Sequence, residues 1–339
     1  MMWFFALDLG AVSFLEAGSC YLFQNELSDY CESDVSRREA SDCRGTSEQT
    51  MRCIFCKQNS SDSKSVEHIL PESLGNTTLT LPKGVVCDKC NNYFARKIEA
   101  PFFQLTGINE LRFYEGLPNK SGKIPSIRGI VNGASVELHR KNSSSLKNVR
   151  GETMLLECDP QDIDRIINAN KMITLAFNDA MIPRESKVIS RFLAKVAFES
   201  LTNRVLSDTA WPEFIIDNPS FDGIRNYVRM GGEETWPYSI RRIYDMDQRF
   251  FDNADGEFYQ VVYEEDFLLI PEKCDNVQSG DELIPCHLYF VMAWFGMEFV
   301  MNMAGNDASG LEAYNDWLHE HNGASPLYVK NKKGRESST

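Results

Sequence analysis

No run of about 18 uncharged apolar residues occurs in the 339-residue sequence, so there is no material for a membrane-spanning helix. Positive charge is in deficit. Thirty-five Lys and Arg face 49 Asp and Glu, for a formal net charge of -14, which argues against a protein that coats nucleic acid through bulk charge. No internal repeat recurs. The opening stretch MMWFFALDLGAVSFLEAGSC lacks a basic start and carries Asp8 and Glu16 inside its apolar run, against a secretory signal. What remains is ordinary globular composition, 42% hydrophobic and 25% charged. Disorder throughout, collagen and coiled coil are thereby excluded. The length leaves room for two domains, or for one large domain with an appendage.

Charge is unevenly spread. Residues 1–50 hold 3 Lys/Arg and 9 Asp/Glu, residues 51–150 hold 15 and 8, and residues 151–339 hold 17 and 32. One basic segment thus lies between two acidic ones, and a local anion-binding face is open to it. Residues 24–50 are rich in Ser, Asp and Glu without a period of 2 or 3.6, and read as disordered. Met51 stands two residues before the first cysteine pair. The functional chain is expected to start there, with residues 1–50 a disordered or non-native extension; the alternative is a genuine regulatory tail or anchor.

Ten cysteines are present, and four form two C-x-x-C pairs, Cys53/Cys56 and Cys87/Cys90. A secreted disulfide scaffold would be shorter and denser in cysteine. Paired C-x-x-C spacing reads instead as metal ligation in a reducing, cytoplasmic setting. Four thiolates close a tetrahedral Zn²⁺ site. The pattern predicts a zinc-bound hairpin leading to a helix, Asn91 to Glu99, that holds the last two ligands. Coincidental buried or redox cysteines are the alternative.

Between the pairs lie the residues with chemistry. Glu67-His68 ends a short alternating stretch, and Pro71 with Gly75-Asn76 marks a turn just beyond it. At a strand end an acid and an imidazole can both turn toward one site. Asn91 falls in the first turn after Cys90, beside the zinc. Carboxylate, imidazole and amide oxygen around an open position suit a hard divalent cation that keeps room for water and phosphate. The histidine is suited to deprotonate a water near neutral pH. His68 as a zinc ligand or a packed core residue is the competing reading, and Asn92 is the alternative to Asn91.

C-x-x-C, then E-H-I-L-P-x-S-L-G, then V-C-D-K-C-N-N resembles the HNH endonuclease superfamily in its four-cysteine zinc-bound form, over about residues 51–100. The resemblance implies a ββα-metal, treble-clef-like unit. It also implies His68 as the base that activates water, with Glu67 and Asn91 as ligands of a catalytic Mg²⁺ or Mn²⁺. Two departures stand out. Asn91 occupies a place where many members carry histidine, although asparagine also occurs there. Pro82 occupies the place of the family's middle asparagine, for which Asn76 is the nearest substitute. The closing GMEFVMNMAG and WLHEHNGASPLY runs also resemble the downstream part of bacterial HNH proteins.

The fold expected is α+β: an HNH unit over residues 51–117, a larger mixed domain over 118–330 and a disordered tail over 331–339. Strands are predicted at 127–139, 152–158, 257–270 and 286–303, and helices near 160–170, 221–230 and 311–320. The clearest helix spans 186–206, where Val188, Ile189, Phe192, Leu193, Val196, Ala197 and Leu201 recur at helical spacing. Arg191, Lys195 and Glu199 form a four-residue stripe on it, read as an ion-paired surface stripe. DNA phosphate contacts are expected from Lys64, Lys89, Arg96 and Lys97, with Arg112 and Arg140 among the basic residues that follow. The acidic residues 151–339 are expected to bind a regulatory protein rather than DNA, with no membrane partner. By analogy the activity suits defence against foreign DNA. The alternatives are a zinc-stapled nucleic-acid- or protein-binding module without catalysis, which has no need of Glu67-His68, and an RNA-directed nuclease or toxin.

Overall fold

A computed structural model describes residues 4–5, 51–131, 133–141, 153–167, 173–174, 182–208, 210–243, 250–252, 258–260, 263–271 and 284–327. Most of the N-terminal extension and the Lys-rich tail lie outside them. In chain order the elements are β1 (Phe4–Phe5), β2 (Glu67–His68), β3 (Thr80–Leu81), α1 (Asp88–Phe94), α2 (Ala100–Phe103), α3 (Thr106–Tyr114), β4 (Ile127–Val131), β5 (Ala134–Lys141) and β6 (Thr153–Cys158). There follow α4 (Ile163–Ile167), β7 (Ile173–Thr174), α5 (Lys187–Val205), α6 (Asp222–Met230), β8 (Tyr238–Arg242), β9 (Phe250–Asp252), β10 (Phe258–Gln260), β11 (Tyr263–Pro271), β12 (Ile284–Trp294), β13 (Met297–Asn302) and α7 (Glu312–Glu320). The fold is mixed helix and sheet. Among the described residues no helix is long and apolar enough to cross a membrane.

Contacts group the chain into two compact units that do not follow chain order. The first is Met1–Ile69, Thr80–Ala95 and Glu185–Thr339; the second is Leu70–Leu79 and Arg96–Arg184.

In the first unit β8, β13, β12 and β11 pair antiparallel in that order, and β1 pairs antiparallel with the start of β12. The apolar run 286–303 is two strands. Phe295 and Gly296 have φ of 47° and 78°, and Trp294 faces Met297 across them. Such two-residue hairpins need positive φ at both central positions. Glycine takes that conformation freely, while phenylalanine does so at a cost in strain. Every residue of β13 is buried, which explains why its sequence shows no alternation. Trp236 and Trp294 are buried.

Helix α5 begins at Ser186, whose hydroxyl accepts from Ile189 N at 3.4 Å, a normal N-cap. Every residue from Phe192 to Thr202 is buried, Lys195 and Glu199 included. Lys195 and Glu199 of the expected surface stripe are therefore ion-paired but internal, while Arg191 is half-buried and donates to Val228 O at 2.7 Å. An acid–base pair at i, i+4 spacing looks the same on either face, and here Phe55, Glu67 of β2 and strand β13 pack against the helix. Phe55 joins this core, with ring centroids 4.5 Å from Phe94 and 5.4 Å from Phe198. Phe198 in turn lies 5.7 Å from Phe221.

In the second unit the strand order is β6, β5, β4, β7. Phe113, Ile124, Ile127 and Leu138 form its core. Two basic residues of the expected DNA face are spent internally. Arg112 is buried, donates to Ser73 O at 2.9 Å and lies over the Phe103 ring. Arg140 donates to the carbonyls of Phe113 and Tyr114.

Candidate metal centre and strand-end site

The two cysteine pairs sit on two backbone knuckles. In the first, Lys57 N donates to Cys53 O at 2.8 Å and Cys53 N to Gln58 O at 2.9 Å, with Lys57 at φ 60°. In the second, Cys87 caps α1. Its Sγ accepts from Cys90 N at 3.4 Å, and its carbonyl accepts from Asn91 N at 3.0 Å. Ile54 N to Val85 O at 3.0 Å ties one knuckle to the approach of the other. The four Sγ atoms all lie within 4.8 Å of one another, and those of Cys56 and Cys87 are 3.7 Å apart.

Zinc–sulfur bonds of about 2.3 Å in a tetrahedron put sulfurs about 3.8 Å apart, so the cluster fits Zn²⁺ in size, ligand type and number. Its electrostatics agree. The Cys90 thiol, hydrogen-bonded to Cys53, draws Cys53 down to about 5. Burial pushes Cys56 up to about 11, and the same Cys53 contact, with burial, pushes Cys90 up. Four thiolates in so small a space need a cation to share.

Arg225 of α6 braces the first knuckle. Its guanidinium is buried, and Nε donates to Ile54 O at 2.7 Å while Nη2 donates to Ile215 O at 2.5 Å. It also pairs with Asp222 and lies over the Phe198 ring at 5.4 Å. Burial draws its pKa down.

Strand β2 presents Glu67 and His68, paired with Leu81 and Thr80 of β3. Glu67 is 4% exposed, and His68 is half-buried. Asn91 Nδ2 donates to Val66 O at 3.3 Å. The helix start is thereby tied to the residue just before Glu67, whereas Asn92 is exposed. Below this joint Asp88 accepts from Ser65 N at 2.9 Å and from Lys64 N at 3.1 Å. The hydrogen bonds from Ser65 hold its carboxyl below the usual range. The loop after β2 is closed by Asn76, which is fully buried. Its Nδ2 donates to Leu70 O at 2.5 Å and Leu79 O at 2.9 Å, and its Oδ1 accepts from Thr78 N and Leu79 N.

Glu67 also has a partner that sequence spacing hides. Lys195 Nζ lies 2.6 Å from Glu67 Oε1 and 3.0 Å from Glu199 Oε2, with both lysine and Glu199 fully buried. The same ammonium donates to His68 O at 3.2 Å. The helical stripe contained both residues, but no local signal linked them to β2. Lys64, Lys89, Arg96 and Lys97 are all exposed.

No curated protein and no solved structure matches the chain. Residues 53–105, with their four gathered cysteines, match the family model described as HNH endonuclease, and that segment is accordingly an HNH endonuclease family domain.

Proposed function

We propose that residues 53–105 hydrolyse phosphodiester bonds in DNA with a bound Mg²⁺ or Mn²⁺. The observation that carries this is the Asn91–Val66 hydrogen bond of 3.3 Å, which joins the helix start to the strand bearing Glu67 and His68 inside an HNH endonuclease match. Glu67 and Asn91 are the cation's ligands in this reading. A carboxylate has about four lone-pair sites, so the Lys195 contact leaves Glu67 able to ligate. The Nδ2 bond orients the Asn91 amide and directs its oxygen away from Val66. His68 takes the proton of the attacking water. When bound, the cation offsets charge on the phosphate and on the leaving oxygen.

Lys64, Lys89, Arg96 and Lys97 supply phosphate contacts, which makes cleavage salt-dependent. No base-reading motif is present, so sequence preference is weak. The acidic residues 151–339 leave DNA to the nuclease segment and bind a regulatory protein. The protein works in the cytoplasm, and by analogy its role is defence against foreign DNA.

The test is plasmid incubation with Mg²⁺, Mn²⁺ or a chelator, comparing the parent with His68→Ala. Loss of general-base help lowers the rate about 10²–10⁴-fold, with zinc content unchanged. Equal cutting by the variant removes His68 from the reaction. A second reading, a zinc-stapled module that binds without cutting, is favoured by one observation: the buried Glu67–Lys195 pair gives the acid a structural task. A parent that retards DNA yet never cuts it would select that reading.

A further inference from the structure

Lys195 lies outside the segment matched to the nuclease family, yet it touches both residues of β2. An ammonium carries three N–H donors. Three oxygens surround this one: Glu67 Oε1 at 2.6 Å, Glu199 Oε2 at 3.0 Å and the main-chain oxygen of His68 at 3.2 Å. Lys195 and Glu199 have no solvent exposure and Glu67 has 4%. Glu199, one turn along the same helix, aims the lysine. The lysine then holds a side chain and a backbone carbonyl from neighbouring strand residues.

Burying charges is costly, and a buried ion pair is often no more stabilising than apolar side chains of the same volume. What apolar residues cannot reproduce is direction. A carbonyl and a carboxylate held by one ammonium lose both translation along the strand and rotation about it. Lys195 is anchored on the central helix α5, among the most buried elements of its unit. The strand end therefore inherits the rigidity of the core.

We propose that Lys195 is a positioning residue for the hydrolytic site. It fixes the end of β2 so that His68 and Glu67 are held in one arrangement, with Glu199 as its anchor. This rests on the function proposed above. Groups that orient a site's own ligands are typically worth about 10–100-fold in activity or metal affinity.

The experiment uses the full chain, with Lys195→Met and the milder Glu199→Gln. The second variant keeps the side-chain shape and stays informative if the first fails to fold. Two readouts are taken. One is kcat and KM for plasmid cleavage under saturating Mg²⁺. The other is backbone hydrogen exchange of peptides covering residues 65–71, with residues 51–58 as the internal control. Expected for Lys195→Met is a kcat about 10–100-fold lower with KM little changed, faster exchange at 65–71, and zinc content and exchange at 51–58 as in the parent. Glu199→Gln moves both readouts the same way, by less. Parent-like exchange at 65–71 in every variant that folds overturns the positioning role, and so does a kcat that falls only with the folded fraction. A parent that does not cut DNA defeats the nuclease reading instead, and the exchange measurement still decides what Lys195 does.

Discussion

Replacing Arg225 with methionine tests whether the first cysteine knuckle is held from outside residues 53–105. Methionine keeps an apolar stem beneath Phe198 but carries no donor. The carbonyls of Ile54 and Ile215, both in buried hydrogen bonds with this side chain, lose their partner. An unsatisfied buried carbonyl costs about 1–3 kcal/mol, so the two together cost about 2–6 kcal/mol. Removing a guanidinium whose burial already draws down its pKa offsets part of this. A net loss of about 2–4 kcal/mol is expected, a large share of the roughly 5–15 kcal/mol that holds a typical domain. Urea unfolding at fixed zinc concentration measures the loss as a lower midpoint with unchanged slope. Chelator competition measures the knuckle itself, which should release zinc at least about tenfold more readily, equivalent to about 1.4 kcal/mol. A stability loss under about 1 kcal/mol, or a full loss with parent-like zinc retention, refutes the bracing role.

Two further outcomes follow from the geometry. Asn76→Ala removes four hydrogen bonds from a fully buried side chain and should cost about 2–4 kcal/mol in denaturant unfolding. Asn76→Asp retains the acceptor for Thr78 and Leu79 but sets a carboxylate oxygen against the carbonyls of Leu70 and Leu79, so it should cost at least as much as the alanine. Asp217→Asn tests an ion pair whose side chains are 35% and 49% exposed, Arg52 and Asp217 respectively, so it should cost no more than about 1 kcal/mol at about pH 7. Arg52 beside it holds the Asp217 carboxyl below its ordinary range. The folded pKa is thus the depressed one. Its contribution is present above the usual carboxylate pKa and is lost as pH falls through the folded value. The gap between parent and variant should therefore begin to close in acid unfolding below about pH 4 and vanish below the folded value, and a gap that does not narrow as the pH falls further would contradict the assignment.

Much of the metal centre was legible in the sequence because its information is local. Two C-x-x-C pairs each fold over a few residues, and the thiols then have one way to be shared. Helix α5 was legible for the same reason: its apolar spacing and its Ser186 cap lie within one stretch. The fate of Lys195 and Glu199 was not. Their spacing fixes that they meet each other, but only the packing of Phe55, Phe94 and β2 against the helix decides that they meet inside the core. The turn at Phe295-Gly296 was hidden because phenylalanine carries no preference for positive φ, and because strands buried on both faces lack alternation. Asn76 was visible only as a loop residue near the place of a missing family asparagine. Its four-bond clasp depends on backbone groups at both ends of that loop, which no side-chain pattern reports.

The cysteine knuckle and its brace are far apart in the order of synthesis. Ile54 leaves the ribosome 171 residues ahead of Arg225, and His68 leaves it 127 residues ahead of Lys195. A nascent chain that has finished its four clustered cysteines therefore still waits for its two internal cations. Maturation of the strand end is a late event in translation, and a fragment ending near residue 117 would carry the thiols without the side chains that steady them.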